Sequence, residues 1–156
     1  MTKHKGFIAV CLVLLIAALG APSALGAAGG TDRPLHGTVS GTFGTTFVTP
    51  STGTFSGGGS GNLAHLGEVT MTMEGTFSVS EFEATLNGTI TFVSANGDEL
   101  TGTFTGSLAL VTGQVGIGGP IAGGTGRFED ASGSFDALGS VYVDTFEFSI
   151  TGVISY

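Results

Sequence analysis

The sequence predicts an all-β protein, a single closed antiparallel barrel of about eight strands preceded by a signal peptide. Three observations predict this fold class. An uninterrupted apolar run lies near the N-terminus, apolar and polar residues alternate with a period of two from residue 35 onward, and glycines share a face with bulky apolar residues. The predicted organisation is a signal peptide over residues 1–26, a flexible tether over 27–34 and a barrel domain over 35–156.

The N-terminal segment has the features of an export signal. Two lysines precede the apolar run Phe7–Leu19, which is shorter than the about twenty residues that a membrane span needs. Small residues at Ala24 and Gly26 suit the −3 and −1 positions of a cleavage site, so we expect cleavage near Ala27. An uncleaved anchor is the competing interpretation, and no cationic stop-transfer cluster follows to support it. The expected location is secreted, outside the cell or in the periplasm.

Composition excludes several function classes for the part that follows the leader. The single cysteine, Cys11, lies inside the apolar run, so the expected mature chain has no disulfide and no thiol nucleophile. Its cations are Arg33 and Arg127, against twelve carboxylates. A chain so acidic repels phosphate backbones and anionic membrane surfaces, so no nucleic acid and no stable membrane insertion of the mature chain are expected.

The alternation defines the residues expected to point into the barrel. Apolar side chains occupy every second position of several segments, and threonine, serine and glutamate occupy the positions between them. Such a pattern is typical of half-buried strands. The predicted inward residues are Val69, Met71, Met73, Leu86, Ile90, Phe92, Leu100, Phe104, Leu108, Phe146, Phe148 and Ile150.

Turn residues separate these segments. Asn96–Gly97 predicts a tight hairpin, because both residue types tolerate positive φ. A change of parity at Ser80–Glu81 predicts another turn, followed by a strand over residues 82–94. A second change of parity predicts a bulge or corner near Asp144–Thr145. The glycine-rich stretch Gly57–Gly61 is interpreted as a flexible connection.

Glycine on the apolar face favours a closed barrel. Gly102 and Gly106 share a face with Leu100 and Phe104, and alternating large and small side chains suit the concave lining of a small barrel. A flat sandwich with glycine at its bends is the alternative. An outer-membrane barrel is disfavoured, because the chain has no tryptophan and two tyrosines, too few for aromatic girdles at the membrane interfaces.

Few residues suggest chemistry. Gly123–Phe128 resembles a phosphate-binding loop, but a strand rather than a helix is predicted after it, so we interpret it as a turn at the barrel rim. Arg127 either pairs with a nearby acid or clamps a ligand carboxylate, and His65, between leucines, lacks the partners of a metal site. No catalytic residue, metal or cofactor is predicted. The predicted ligand-binding residues are His65, Arg127, Met71, Met73, Phe104 and Phe148.

Four segments carry a family resemblance: Asn62–Gly67, Ala95–Leu100, Gly123–Gly133 and Ile150–Tyr156. In this order they resemble a group of secreted bacterial barrel proteins whose glycine-rich segment is similar to that of allene oxide cyclase and the plant dirigent proteins. The resemblance implies an eight-stranded antiparallel barrel, a lumen for an apolar ligand and assembly as a homotrimer. It does not carry over an activity, because no residue of a catalytic motif maps onto this sequence.

Two functions follow as hypotheses. The first is a non-catalytic barrel that binds a small apolar ligand or serves as a stable extracellular module. The alternative is an enzyme of the allene oxide cyclase type, a cyclase or isomerase acting on a lipid-derived or terpenoid substrate. The polarity of the lumen discriminates between them, because general acid–base chemistry needs polar groups that converge on the substrate.

Overall fold

The computed structural model describes residues 30–156, and the predicted signal peptide lies outside the described residues. The described chain forms eight strands and one 3₁₀ turn at Gly126–Phe128. The strands are β1 (Arg33–Phe47), β2 (Thr52–Leu63), β3 (Gly67–Ser80), β4 (Glu83–Ser94), β5 (Glu99–Ala109), β6 (Gln114–Gly124), β7 (Ser132–Tyr142) and β8 (Thr145–Ser155). No helix among the described residues is long and apolar enough to cross a membrane.

The eight strands close into one antiparallel barrel. Each strand pairs with the next along the chain, and β8 returns to pair with β1. In this last pair Val39 lies opposite Phe148 and Leu35 lies opposite Gly152. Closure leaves no sheet edge with unpaired backbone groups. The predicted closed barrel is therefore confirmed, and the flat sandwich is wrong. The strand β1 begins at Arg33, within the segment expected to be a tether.

The apolar residues point inward, as the alternation predicts. Of the twelve predicted inward residues, ten are buried, and Leu86 and Leu108 are half-buried against the same core. The outer wall is rich in hydroxyl groups: Thr72, Thr91 and Thr101 lie in register across β3, β4 and β5. This orientation is the reverse of an outer-membrane barrel, whose apolar band faces outward.

Glycines on the inner face allow neighbouring strands to approach closely. A Cβ atom at Gly61 would collide with the carbonyl oxygen of Thr38 on the adjacent strand. A Cβ at Gly106 would likewise collide with the carbonyl oxygen of Gly116. Glycine is thus required here by the space that the neighbouring backbone occupies, which is how a narrow barrel accommodates strong curvature.

The stretch Gly57–Gly61 corrects one interpretation. It is not a flexible connection but the middle of β2, and Gly59 pairs with Gly41 on one side and Met71 on the other. A Cβ at Gly57 would lie 2.9 Å from Phe43 Cβ and 3.1 Å from Met73 Cε. Side chains from both flanking strands therefore cover this glycine. The stretch is ordered because it pairs with a strand on each side, which its glycine-rich composition does not indicate.

The turns are mostly where the sequence places them. The Asn96–Gly97 hairpin is confirmed, and Gly97 adopts a φ of +87°. The predicted turn near Ser80–Glu81 is also present, but Phe82 belongs to it and is 68% exposed, so Phe82 is not a strand residue. Near Asp144–Thr145, where a bulge or corner is predicted, a two-residue turn joins β7 to β8. The turn residue Val143 has a φ of +56°, and the reversal of the chain accounts for the change of parity.

Alanine substitution at an inner and an outer glycine tests the close approach of the strands. We expect Gly61→Ala to lower the free energy of unfolding by about 2–3 kcal/mol, because its methyl group has to displace the backbone of β1. Gly44→Ala is the matched control in β1, where an added Cβ meets no atom within 4 Å, and it should change stability by less than about 1 kcal/mol. Urea denaturation of both variants measures the difference, and equal effects would contradict the packing described here.

Candidate functional site

The two ends of the barrel differ. At one end, which we call the closed end, lie the β2–β3, β4–β5 and β6–β7 connections together with residue 30 and the C-terminus. At the other, which we call the open end, lie the four hairpin turns β1–β2, β3–β4, β5–β6 and β7–β8. Side chains fill the lumen at the closed end, and a cavity remains at the open end.

Aromatic packing seals the closed end. Phe128, in the 3₁₀ turn, has no exposed surface, and the ring of Tyr156 meets it edge to face at a centroid distance of 4.8 Å. The guanidinium of Arg127 lies 4.6 Å from the Phe128 ring centroid, and that of Arg33 lies 5.1 Å from the ring of Tyr156. Both arginines therefore form part of this seal through cation–π contacts.

A polar network holds the connections of the closed end together. The Ser94 hydroxyl donates to Asn96 Oδ1 (2.6 Å), and Asn96 Nδ2 donates to Asp98 Oδ2 (2.7 Å). Arg127 Nε lies 3.6 Å from the same Asp98 oxygen. This ion pair is partly exposed and contributes about 0–1 kcal/mol. The network ties the β4–β5 hairpin to the 3₁₀ turn, so Arg127 has structural partners at this end.

The open end contains a cavity of about 160 Å³. It lies between the side chains of all eight strands, which contribute Phe43, Phe55, Met73, Leu86, Phe104, Ile117, Val141 and Phe148 among others. Two further lining residues, Phe47 and Leu110, are 60% and 44% exposed. Since these exposed side chains are part of the lining, the cavity extends to the surface at the open end.

Aromatic pairs shape the wall of this cavity. The rings of Phe55 and Phe104 lie 6.1 Å apart, and those of Phe146 and Phe148 lie 5.0 Å apart. Phe104 also extends towards Gly88 on the adjacent strand, where an added Cβ would lie 2.8 Å from the Phe104 ring. Glycine on one strand therefore leaves the space that the aromatic ring of the next strand occupies.

The lining is apolar and offers little for catalysis. Among the described residues that line the cavity, none is ionisable, and the polar side chain is that of Thr45. General acid–base or nucleophilic chemistry needs a titratable group within hydrogen-bond reach of the substrate. No group of three His, Cys, Asp or Glu residues in residues 30–156 could hold a metal ion. The arrangement suits the exclusion of water from an apolar molecule.

The structure brings together only part of the predicted site. Met73, Phe104 and Phe148 line the cavity. Met71 is fully buried on the same strand as Met73, nearer the closed end and outside the lining.

The two polar members of the predicted site lie elsewhere. His65 is in the β2–β3 turn, with a φ of +67°, and Arg127 is in the 3₁₀ turn, so both are at the closed end. Neither lines the cavity, and their role towards a ligand stays a prediction. Sequence reasoning missed Phe43, Phe47 and Phe55, which are among the lining residues. The available signal was that Phe43 and Phe47 share one parity of the alternation.

Comparison with known proteins gives a structural likeness and no match at the level of sequence families. No family model matches the chain. No curated protein matches it either. Among solved structures, the pterocarpan synthase dirigent protein GePTS1 is similar, with 16% sequence identity, a TM-score of 0.47, and coverage of 81% of this chain and 86% of that chain. The fold and cavity of this chain define a closed eight-stranded antiparallel barrel with an apolar pocket at one end.

Truncating two phenylalanines tests the difference between the two ends. We expect Phe128→Ala to cost about 3–5 kcal/mol of stability, because it empties a fully buried position in the seal. Phe82→Ala, in a turn of the open end, should change stability by less than about 0.5 kcal/mol, because that ring is mostly exposed. Urea denaturation of both variants makes the comparison. A small loss for Phe128→Ala would show that the closed end is not sealed by this ring.

Proposed function

We propose that this protein is a non-catalytic, exported barrel that binds a small apolar molecule in the cavity at its open end. The observation that carries the proposal is the cavity itself, whose described lining is apolar and without an ionisable group. Export is supported by the apolar leader with its small residues before Ala27.

The dimensions of the cavity indicate the size of the ligand. An engineered apolar cavity of about 150 Å³ in another protein stays dry and binds benzene. The cavity described here has about the same volume, and its walls give water few hydrogen-bond partners. An apolar group the size of an aromatic ring therefore fits inside, and a longer ligand extends through the open end past Phe47 and Leu110.

The enzymatic alternative has less support. A cyclase or isomerase acting on a lipid-derived or terpenoid substrate needs polar groups that hold or polarise the reacting atoms. The hydroxyl of Thr45 is the polar side-chain group that the described lining offers. One hydroxyl does not form a converging set, so binding is the function that the geometry supports better.

The methionine methyl groups test binding directly. With Met labelled by ¹³C at its methyl group, titration with benzene should shift the Met73 resonance in a saturable manner, because Met73 lines the cavity. The Met71 resonance should stay in place, because this residue is fully buried outside the lining. The experiment uses the chain from Ala27, which contains all eight strands. If neither resonance moves at saturating benzene, the proposed function is wrong.

Filling the cavity is the complementary test. Ala84 is buried in the lining, and Ala84→Leu adds three carbon atoms to that space. We expect this variant to weaken benzene binding at least about tenfold, because the volume for the ligand is lost. Thr85→Leu places the same side chain on the outer face of β4, where residue 85 is exposed, and should leave binding unchanged. Equal binding by both variants in the Met73 titration would place the ligand elsewhere.

A further inference from the structure

Exposed apolar side chains form a ring around the open end. We call this ring the apolar rim; it comprises Phe47, Val48, Phe82, Val111, Tyr142 and Val143, each at least 60% exposed. All four hairpin turns of the open end contribute to it or adjoin a contributing residue. Of the other large apolar residues that the described chain exposes, Leu110 lines the cavity, and Leu138 and Val153 lie on the barrel wall. An apolar patch concentrated in this way marks an interaction surface.

One residue of the rim adopts an unfavourable backbone conformation. Val143 has a φ of +56° and is 80% exposed. A left-handed conformation is unfavourable for a β-branched residue, and glycine or asparagine would adopt it at lower cost. Burial within the barrel does not offset this cost, because the side chain faces outward. Burial of the Val143 side chain against a partner outside the isolated barrel would offset the cost of this conformation.

The charges near the rim indicate which surface it meets. Glu81 precedes Phe82 and Asp144 follows Val143, so acids lie beside rim residues in two turns. The two cations of the described chain, Arg33 and Arg127, are both at the closed end. An anionic lipid surface would repel the rim. A phosphatidylcholine surface carries no net charge, and its outermost group is an ammonium, which complements these acids.

The same charges disfavour contact between two copies of the rim. In a symmetric contact, each copy presents the same patch to the other. The acids Glu81 and Asp144 of one copy would then approach those of the second copy, with no described cation nearby to neutralise them. Like charges brought together across an interface are unfavourable, so a neutral lipid surface is the better match.

We propose that the apolar rim docks the barrel, open end first, on a zwitterionic phospholipid surface. The rim residues enter the interfacial layer to the depth of the turns, where aromatic and aliphatic side chains are stabilised. The cavity then faces the acyl chains, and an apolar ligand passes between bilayer and cavity without crossing water. This transfer rests on the proposed function, whereas the docking does not. The barrel stays on the surface, since its outer wall is covered by hydroxyl groups.

Vesicle binding by matched variants tests this proposal. The chain from Ala27 is sedimented with vesicles of dioleoyl phosphatidylcholine, and the partition coefficient is measured. We expect the double variant Phe82→Ser/Val111→Ser to lower it about tenfold or more, because two exposed bulky side chains no longer enter the interface. The control is Leu138→Ser, which removes a 66% exposed leucine from the barrel wall and should change it less than about twofold. Vesicles that contain phosphatidylglycerol should bind the unmodified chain more weakly at low salt.

Three results would overturn the proposal. The first is no vesicle binding by the unmodified chain. The second is an equal loss of vesicle binding in the rim and wall variants, which would indicate nonspecific adsorption through any exposed apolar side chain. The third is a concentration-dependent dimer, seen by light scattering, that is lost in the rim variant while the rim and wall variants both still bind vesicles. The rim would then be a contact between two copies of the chain.

The test separates this proposal from the proposed function. Neither Phe82 nor Val111 is among the cavity-lining residues, so the rim variant should keep the benzene-induced shift of the Met73 methyl resonance. That shift also shows that the variant is folded. Loss of vesicle binding with the shift retained supports docking. Vesicle binding without any benzene shift in the unmodified chain would support docking and refute the proposed ligand cavity.

Discussion

Close approach of neighbouring backbones on the concave face is the constraint on which this structure depends. At Gly61 and Gly106 a carbonyl group of the adjacent strand occupies the space of a Cβ atom. This proximity lets the sheet curl tightly enough for β8 to meet β1. Bulky residues at the intervening inward positions then fill the narrow lumen. Glycine, which weakens an ordinary strand, is what allows a barrel of this width to close.

The lumen formed in this way is filled unevenly along the barrel axis. Near the closed end, Phe92 and Phe135 pack edge to face at 6.3 Å, and Phe128 covers the core from the 3₁₀ turn. At the open end a two-residue turn such as Glu81–Phe82 is too short to fold back over the lumen. The same inward pattern therefore produces a packed core in one half and an apolar cavity in the other. Under the proposed function, the packed half stabilises the barrel and the open half binds the ligand.

The cations follow the same axial division. The cations of the described chain take part in the aromatic seal of the closed end, and the open end combines acids with exposed apolar side chains. An apolar cavity, an apolar rim and the absence of cations around it in residues 30–156 are consistent with one another. They fit the proposal that the protein acquires an uncharged molecule from a neutral surface.

The sequence by itself determined the strand class, the inner face and the Asn96–Gly97 hairpin, because side-chain alternation and turn chemistry are local properties of the chain. Only the tertiary structure decided where along the axis each residue lies. Met71 and Met73 share a parity, yet only Met73 reaches the cavity, and His65 and Arg127 lie at the closed end. The sequence likewise did not predict that Gly57–Gly61 is ordered, because this order comes from pairing with β1 and β3. Axial position and pairing depend on the register between strands distant in sequence, which barrel closure sets.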